Sequence, residues 1–238
     1  AGVCCRDETG QPIAAPPRRH ADDLDTLPFP WRDGAHALHV GLPYAPMIGS
    51  RGCFGDCNYC CISSWHRTAA GKRFRLRSVD NVADEMAFLF HDRDVRIFCF
   101  QDDTLFLTRP GRSVERLRAL RQALTRRRVG RIAVVGKGRP DQIDDAVLGA
   151  ARELGLCRLF LGIENGSEAG LQHLNRLHDL ASCEHALERL RAAELFSCFN
   201  ILLFEPDTAV SELEQTLAFL RRDVDFPFNF CRAEVYAG

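Results

Sequence analysis

Three cysteines within eight consecutive positions form the strongest chemical signal in the sequence. They are Cys53, Cys57 and Cys60, a C-x3-C-x2-C pattern in a loop that also contains Gly52 and Gly55. Glycine permits the tight, irregular backbone that three converging thiolates need. Three thiolates at this spacing can hold three irons of a [4Fe–4S] cluster, whereas clusters that only transfer electrons normally have four cysteine ligands. The pattern therefore predicts a cluster with one iron open to a substrate or cofactor.

A structural zinc site is the main alternative for the same cysteines. Zinc sites usually pair two C-x2-C elements or add a nearby cysteine or histidine pair, and the sequence has no second C-x2-C. A fourth ligand would then come from His66 or from Cys61, which directly follows the triplet. An open cluster needs neither residue, so these two positions separate an open cluster from a fully ligated metal site.

The cysteine loop follows the first of six short apolar segments that alternate with helical patterns. Several of these segments are apolar throughout, which is typical of parallel strands covered on both faces. The six segments are 45–48, 95–100, 132–135, 159–163, 199–204 and 228–231. Because loops at the carboxyl ends of parallel strands carry the chemistry in such folds, the cysteines are expected at that edge of the sheet.

Five segments between these strands have the apolar spacing of amphipathic helices. They are 81–92, 113–128, 141–154, 182–195 and 207–223. The alternating order predicts an α/β fold with a parallel sheet and right-handed crossovers. Six strands are too few for a complete eight-stranded barrel, which leaves an open, partial barrel or a doubly wound sheet.

Residues 1–43 differ in composition from the rest of the chain. They are polar and rich in proline, which indicates an extended connector or N-terminal arm rather than a helix. Phe29 and Trp31 in this segment could attach it to the surface of a domain. The sequence therefore divides into a connector at 1–43 and an α/β domain at 44–238.

Composition excludes several classes of protein. The 238 residues include 11 cysteines, 46% are hydrophobic, and the formal net charge is −1. A chain this apolar can bury a sizeable core, the near-zero charge gives no support for a nucleic-acid partner, and no apolar run approaches the ~20 residues of a membrane span. An odd number of cysteines without a secretion signal predicts thiols in the reducing cytoplasm.

The cysteine motif, with Tyr59 before its last cysteine, resembles the defining motif of radical S-adenosylmethionine (radical SAM) enzymes. Segments 100–104 (FQDDT) and 162–168 (GIENGSE) are similar to later parts of that family's core. The resemblance covers roughly 44–236. The preceding arm resembles the connector of the subgroup that carries a cobalamin-binding domain. The resemblance implies a partial (β/α)6 barrel of parallel strands.

The resemblance also implies a set of cofactors and a chemistry. A [4Fe–4S] cluster would chelate the amino and carboxylate groups of S-adenosylmethionine, and one electron would cleave the sulfonium bond. The resulting 5′-deoxyadenosyl radical would abstract a hydrogen atom from a small-molecule or peptide substrate, while the protein orients the cofactors and excludes water. An electron donor such as flavodoxin or ferredoxin is expected as a partner. Cobalamin would come from a domain absent from this chain, which is expected to be a catalytic core truncated after its sixth strand.

Family positions carry over residue by residue. The cluster ligands would be Cys53, Cys57 and Cys60. Tyr59 would pack near the adenine, Arg139 would pair with the methionine carboxylate, and Glu164 would bind the ribose or the methionyl end. The implied residues that bind S-adenosylmethionine are Tyr59, Gln101, Asp102, Asp103, Arg139, Glu164, Ser167 and Ile201. The sequence has Gln-Asp-Asp at 101–103, where the family has Gly-Gly-Glu, and lacks the family's glycines near Ile201.

Three functions are compatible with these residues. The first is radical methylation, or a related rearrangement, of an unactivated carbon. The second is methylthiolation of RNA or protein, which would usually need a second cluster and a substrate-binding domain. The third is a non-catalytic iron–sulfur or zinc module, which predicts a fourth ligand and no cleavage of S-adenosylmethionine.

Overall fold

The computed structural model describes residues 4–32 and 37–232. The strands are β1 (Cys4–Arg6), β2 (Pro12–Ala14), β3 (Leu38–His39), β4 (Leu42–Met47), β5 (Ser50–Arg51), β6 (Arg75–Leu76), β7 (Ile97–Phe100), β8 (Ala133–Gly138), β9 (Leu156–Glu164), β10 (Phe196–Leu203) and β11 (Phe228–Arg232). The helices are α1 (Cys61–Arg67), α2 (Val79–Asp92), α3 (Pro110–Arg126), α4 (Asp145–Leu154), α5 (Glu168–His173), α6 (Leu180–Ala192) and α7 (Val210–Arg222).

The central sheet has the strand order β3-β4-β7-β8-β9-β10-β11. The six strands from β4 to β11 in this order are parallel, and β3 pairs antiparallel with β4 at the edge. The predicted six-stranded parallel sheet of a partial (β/α)6 barrel is confirmed. Because the strands are parallel and consecutive, all six carboxyl ends lie at one edge, and the loops that follow them meet there.

The first parallel strand contains two prolines and still pairs with β7. It begins at Leu42, three residues before the predicted start, and Pro46 lies opposite Cys99 in the register with β7. The Pro46 carbonyl accepts a hydrogen bond from Arg32 Nη2 at 3.0 Å, on the side away from β7. Proline is tolerated here because its missing donor faces the edge of the sheet rather than a paired strand.

The five predicted helices are present with shifted ends. The largest shift is in α4, which begins at Asp145 instead of 141 because Pro140–Gln142 forms a separate 3₁₀ turn. The Asp144 carboxylate accepts a hydrogen bond from the backbone amide of Val147 at 2.7 Å and caps the helix at its true start. The short helices α1 and α5 were not predicted, because six or seven residues are too few to show a clear apolar period.

The core lies between the sheet and its helices. Phe98, Leu159, Leu161 and Phe199 on the strands are at most 1% exposed, and Leu154 at the end of α4 packs against them at 1% exposure. Burial of each such side chain contributes about 1.5–3 kcal/mol. Apolar packing between the sheet and its helices therefore stabilises the fold, and the polar loops at the carboxyl edge of the sheet are available to bind ligands.

The N-terminal segment forms little regular structure. An exposed hairpin of β1 and β2 is followed by a 3₁₀ turn at Leu24–Thr26, in which Leu24 is buried. Arg77 lies over the Phe29 ring at 5.4 Å, whereas Trp31 is 87% exposed, so Phe29 alone of the two aromatic residues is pinned. Residues 1–3 and 33–36 of the predicted connector and 233–238 of the predicted domain lie outside the described residues. In the described ranges, no helix combines the length and apolarity required to cross a membrane.

Candidate functional site

The cysteine loop leaves the carboxyl end of β4 through a turn that only glycine can make. Gly52 has φ +89°, and a side chain there would place its Cβ 1.9 Å from the carbonyl oxygen of Arg73. The small antiparallel pair of β5 and β6 holds the two backbones at this distance. Gly52 therefore allows the segment after β4 to fold back over the edge of the sheet, where the cysteines follow it.

The three predicted cluster ligands line one cavity of about 220 Å³. Gly55 lies between two of them: its amide donates to Cys53 Sγ at 3.4 Å, and an added Cβ would lie 3.5 Å from Cys57 Sγ. Cys60 borders the same cavity, and burial raises the pKa of the Cys60 thiol. A thiol whose pKa is raised needs a cation beside it to ionise, so the loop is suited to a metal centre.

The residues around the cavity bear on the choice between a cluster and a single zinc ion. A structural zinc site usually takes four protein ligands, most often cysteine or histidine. Among the described residues that line this cavity, Cys53, Cys57 and Cys60 are joined by no further cysteine and by no histidine. Three cysteines alone fit a [4Fe–4S] cluster with one open iron better than a structural zinc site.

The two alternative ligands lie away from the cavity. Cys61 is the exposed first residue of α1. The His66 ring lies 5.5 Å from the ring of His20 and 3.4 Å from Arg75 Nη2, in a separate pocket. The geometry is thus that of a three-cysteine site, as expected for a cluster with one open iron.

Arg176 is a charged residue at this site that the sequence analysis did not predict, and Lys137 on the same wall is another. Arg176 Nη1 donates to Cys57 Sγ at 3.2 Å and to the Tyr59 hydroxyl at 2.8 Å, and its Nη2 donates to the carbonyl of Gly162 at 2.5 Å. Its Nε is buried without a hydrogen-bond partner. The guanidinium therefore joins the cysteine loop to β9 and places positive charge beside Cys57. Arg176 follows an unpredicted short helix, so no periodic pattern marked it.

Glu164 closes β9 in an unusual conformation. Its φ is +76°, a left-handed value that a residue with a side chain adopts only when the surroundings impose it. Burial raises the pKa of Glu164, while the Arg176 guanidinium and a hydrogen bond from Tyr59 act in the opposite direction. Burial also raises the pKa of Tyr59. The predicted pair Tyr59 and Glu164 therefore lies together on the cavity wall, with the tyrosine neutral.

Arg139 presents an unpartnered donor at the cavity. Its Nε and Nη2 donate to Asp141 at 2.9 and 2.5 Å, but Nη1 is buried without a hydrogen-bond partner. Nη1 lies 3.6 Å from the position that a Cβ on Gly55 would take, between the cysteines and β8. A buried guanidinium with one free donor is suited to an anion, and the carboxylate that the family resemblance implies for Arg139 is such an anion.

The three consecutive residues after β7 have different positions. Asp103 lines the cluster cavity. Asp102 is buried and accepts from the Gly49 amide at 2.9 Å and the Ser50 hydroxyl at 2.5 Å, and burial raises its pKa. It anchors the backbone that leads into the cysteine loop. Gln101 lines a different groove, and its Nε2 donates to Cys99 Sγ at 3.0 Å, so the structure does not bring Gln101 to the cavity.

The side chains of two further predicted residues, Ser167 and Ile201, make contacts within the fold and do not line the cavity. The Ser167 hydroxyl caps α5 by accepting from the Gly170 amide at 3.0 Å, and it donates to Asn165 Oδ1 at 3.0 Å. Ile201 is fully buried in the core and pairs with Glu164 across β9 and β10. Their positions after β9 and in β10 match the expectation, but their side chains serve the fold.

His178 is buried near Asp141, and neither of its ring nitrogens has a side-chain hydrogen-bond partner. Burial, assisted by the Arg176 charge, lowers its pKa to about 4, although Asp141 Oδ1 lies 3.8 Å from Nδ1. At neutral pH the imidazole is therefore uncharged. It adds no positive charge to the wall formed by Arg139 and Arg176.

Comparison with known proteins agrees with this geometry. Residues 47–220 match the family model described as Radical SAM superfamily. The chain is 26% identical over 235 residues to the uncharacterized methyltransferase PH0819 of Pyrococcus horikoshii, a match that covers 97% of this chain and 49% of that protein. The chain thus spans about half the length of this relative.

Two solved structures share the fold at low sequence identity. The cobalamin-dependent S-adenosylmethionine radical enzyme OxsB, with aqua-cobalamin and S-adenosylmethionine bound, has a TM-score of 0.71 at 17% identity and covers 96% of this chain and 33% of its own. The radical S-adenosylmethionine methyltransferase TsrM of Kitasatospora setae, with tryptophan and a SAM analogue bound, has a TM-score of 0.65 at 14% identity and covers 79% and 35%. At these identities the likeness shows the fold.

Proposed function

The chain belongs to the radical SAM superfamily, and from this premise we propose that it is the catalytic core of a radical SAM methyltransferase acting on an unactivated carbon. The observation that supports the proposal most directly is one cavity lined by three cysteine sulfurs, with the unpartnered Arg139 Nη1 beside it. Three ligands rather than four leave room for a cofactor at the metal. A non-catalytic module would instead require a fourth ligand.

Cys53, Cys57 and Cys60 would hold a [4Fe–4S] cluster. When bound, the cluster supplies the electron that cleaves the sulfonium bond of S-adenosylmethionine. The protein's own part is to hold the three cysteines in place. Arg176 Nη1 fixes the loop by donating to Cys57 Sγ at 3.2 Å, and Asp102 anchors the start of the loop through Gly49 and Ser50.

The cavity wall offers one group for the carboxylate and one for the amino group of S-adenosylmethionine. We assign the methionine carboxylate to Arg139, because its free donor is buried and a carboxylate would complete its hydrogen bonding. We assign the amino group to Asp103, a carboxylate on the same wall. Glu164 and Tyr59 lie on the β9 side and would bind the ribose and the adenine. Asp102, Ser167 and Ile201 then act as positioning residues, and Gln101 has no part in this assignment.

The choice of methylation rests on the relatives. PH0819 is named as a methyltransferase, TsrM is a radical SAM methyltransferase, and OxsB holds cobalamin in its structure. By analogy, cobalamin held outside the described residues would supply methyl-transfer chemistry, and the substrate would be a small molecule or a peptide. Flavodoxin or ferredoxin would deliver the electron. The reducing cytoplasm is the setting in which the cysteines of the cluster loop would stay available as ligands.

The proposal is tested by anaerobic reconstitution of the chain with iron and sulfide. The reduced protein should give a [4Fe–4S]⁺ electron paramagnetic resonance signal that changes when S-adenosylmethionine is added. Formation of 5′-deoxyadenosine should follow. Methyl transfer is then measured with cobalamin and isotopically labelled S-adenosylmethionine.

Two matched variants separate the proposal from its alternatives. Cys61→Ala and His66→Ala should retain the cluster and the cleavage of S-adenosylmethionine, since neither side chain lines the cavity. Loss of iron in either variant would indicate a fully ligated metal site. A wild-type cluster whose spectrum ignores S-adenosylmethionine would exclude the open iron, and zinc without a cluster would overturn the proposal as a whole.

A further inference from the structure

A second group of ligating side chains lies outside the cluster cavity. His173 ends α5, Glu205 follows β10, and Glu212 lies in the first turn of α7. One ligand atom from each meets the other two within 4.8 Å. His173 Nδ1 is 3.0 Å from Glu205 Oε1 and 3.8 Å from Glu212 Oε2. Three elements of the fold thus bring one imidazole and two carboxylates together.

Glu212 lacks a partner that its burial requires. The residue is 6% exposed, and its Oε2, which faces His173, has no hydrogen-bond partner. The amino terminus of α7 stabilises a nearby carboxylate by only about 0.3–1 kcal/mol at an ordinary surface site. An unpaired carboxylate loses several kcal/mol or more on burial. A nearby cation must therefore supply most of the compensation.

The imidazole alone cannot satisfy both carboxylates. His173 Nδ1 carries at most one hydrogen, and its 3.0 Å contact with Glu205 uses that hydrogen. Glu212 Oε2, at 3.8 Å, is beyond hydrogen-bond distance from the same nitrogen. An ion between the three atoms would bind all of them at once, with Nδ1 deprotonated and acting as a ligand.

The separations match those of ligands on one small cation. Ligands at ~2.0–2.1 Å from a tetrahedral zinc ion lie about 3.3 Å apart. The observed 3.0 and 3.8 Å bracket that value. Small side-chain adjustments would therefore centre an ion, and the 40% exposure of the His173 side chain leaves a path for entry and for a water ligand.

We propose that His173, Glu205 and Glu212 form a binding site for a divalent first-row transition-metal ion, distinct from the iron–sulfur site. One nitrogen and two oxygens are a borderline ligand set that suits Zn²⁺ and its neighbours better than Ca²⁺ or Mg²⁺, which take oxygen ligands. With three protein ligands, the site is typical in number of zinc sites that keep one position for water.

The ion would connect two loops to the cluster loop. The carbonyl of His173 accepts a hydrogen bond from Asn58 Nδ2, and the carbonyl of Asp56 accepts one from Asn175 Nδ2 at 2.8 Å. Asn58 lies between two of the predicted cluster ligands. Binding of the ion would therefore fix the segment after β10 and α7 relative to the cysteine loop.

Cobalt(II) is the probe for the test, because its absorption identifies its ligands. The chain reconstituted with iron and sulfide is titrated anaerobically with Co²⁺. We expect one Co²⁺ per chain with ligand-field bands and no thiolate-to-cobalt charge transfer. His173→Gln and Glu212→Gln should each weaken Co²⁺ binding by at least about 10-fold. Replacing a residue that only hydrogen-bonds to a metal ligand already weakens metal binding by about 10- to 100-fold, and these two variants each remove a ligand itself. His173 is partly exposed, so the first variant should fold normally.

Two exposed residues supply the matched controls. Glu214→Gln on α7 and His185→Gln on α6 should leave the affinity for Co²⁺ unchanged. Equal affinity in wild type and in both site variants would overturn the proposal, as would Co²⁺ binding seen only with thiolate charge transfer. A failure of the wild-type chain to bind Co²⁺ outside the cysteine loop would also overturn it. None of these outcomes depends on cleavage of S-adenosylmethionine.

Discussion

At the amino ends of the strands, polar groups find partners within the protein, whereas several at the carboxyl ends do not. Near the amino ends, Arg127 Nε donates to Asp84 at 2.7 Å, its Nη1 donates to the Ala123 carbonyl, and its own carbonyl is bonded by His91. At the carboxyl ends, Arg139 Nη1, Arg176 Nε and both ring nitrogens of His178 are buried without partners.

This contrast shows where the chain is built for stability and where it is built to bind. Buried polar atoms without partners cost free energy, and proteins retain that cost where a ligand supplies the missing bonds. Two of these residues, Arg139 and Arg176, line the cavity of the three cysteines. Changes at the two edges of the sheet should therefore have separable effects on ligand binding and on folding.

The largest expected effect comes from removing one predicted cluster ligand. Cys57→Ala removes a sulfur from the cavity and the acceptor of the Arg176 hydrogen bond. Iron bound per chain and the rate of 5′-deoxyadenosine formation should fall by more than about 100-fold. Loss of a residue that only hydrogen-bonds to a metal ligand typically costs about 10- to 100-fold, and this variant removes a ligand. Both are measured after reconstitution.

Cys157→Ala is the control at the opposite edge. Cys157 is exposed at the amino end of β9. This variant should bind iron as wild type does. An equal loss of iron in the two variants would contradict the assignment of chemistry to the carboxyl edge.

Truncation of the core near the amino edge should change stability and not chemistry. Leu154 is 1% exposed, so Leu154→Ala should lower the free energy of unfolding by about 2–5 kcal/mol. Urea unfolding measures this change. At temperatures where the variant is folded, the rate of 5′-deoxyadenosine formation per cluster should be unchanged, and a proportional loss of rate would show that the two edges are not separable.

His178 should make the carboxyl edge sensitive to acid. Its pKa is about 4 in the folded protein and 6.5 when unperturbed, so between these values the unfolded chain binds a proton that the folded chain does not. The stabilisation is therefore complete above pH 6.5 and lost as the pH falls to 4, by a total of about 3 kcal/mol. The measurement is the free energy of unfolding as a function of pH.

A variant separates the contribution of His178 to the pH dependence of stability from the contributions of the buried carboxylates. His178→Gln should lose this part of the pH dependence, while His185→Gln, at an exposed position, should retain it. The raised pKa values of Asp102 and Glu164 act in the opposite direction, because their folded forms hold protons more tightly. If His178→Gln and wild type had the same pH profile, His178 would not be the group responsible.

The smallest expected effect on stability comes from a change near the amino ends of the strands. Arg127→Gln removes an exposed ion pair with Asp84 and another with Asp80. Surface pairs contribute little, so the free energy of unfolding should fall by about 1 kcal/mol or less, and by less still at high salt. Thermal unfolding at two salt concentrations checks this. A loss of several kcal/mol would show that the amino edge also depends on single polar contacts.

Features encoded in contiguous residues were predictable from the sequence. The apolar runs of β7 to β11 and the spacing of the three cysteines each lie within a short segment. They gave the parallel sheet and the edge at which the cysteine loop lies, because strand and helix periods are local properties. The family motif extended this to Tyr59, Asp103, Arg139 and Glu164, all of which line the cavity.

Other features depended on contacts between distant positions. Arg176 and Cys57 are 119 residues apart, and nothing local marks the arginine. Gln101 and Asp103 are two positions apart after β7, yet Gln101 lines one cavity and Asp103 lines the other. Which neighbour of a motif faces the site is decided by strand direction and packing, not by spacing along the chain.

The sequence by itself determined the structural elements and the motif: a three-cysteine loop, six parallel strands and the helices between them. Only the tertiary structure decided which polar groups keep partners and which remain free, because hydrogen bonding depends on what the fold places within about 3 Å. His173, Glu205 and Glu212 belong to separate elements and meet through packing alone. The cysteine site could be predicted because its ligands share one loop, and the second site could not because its ligands do not.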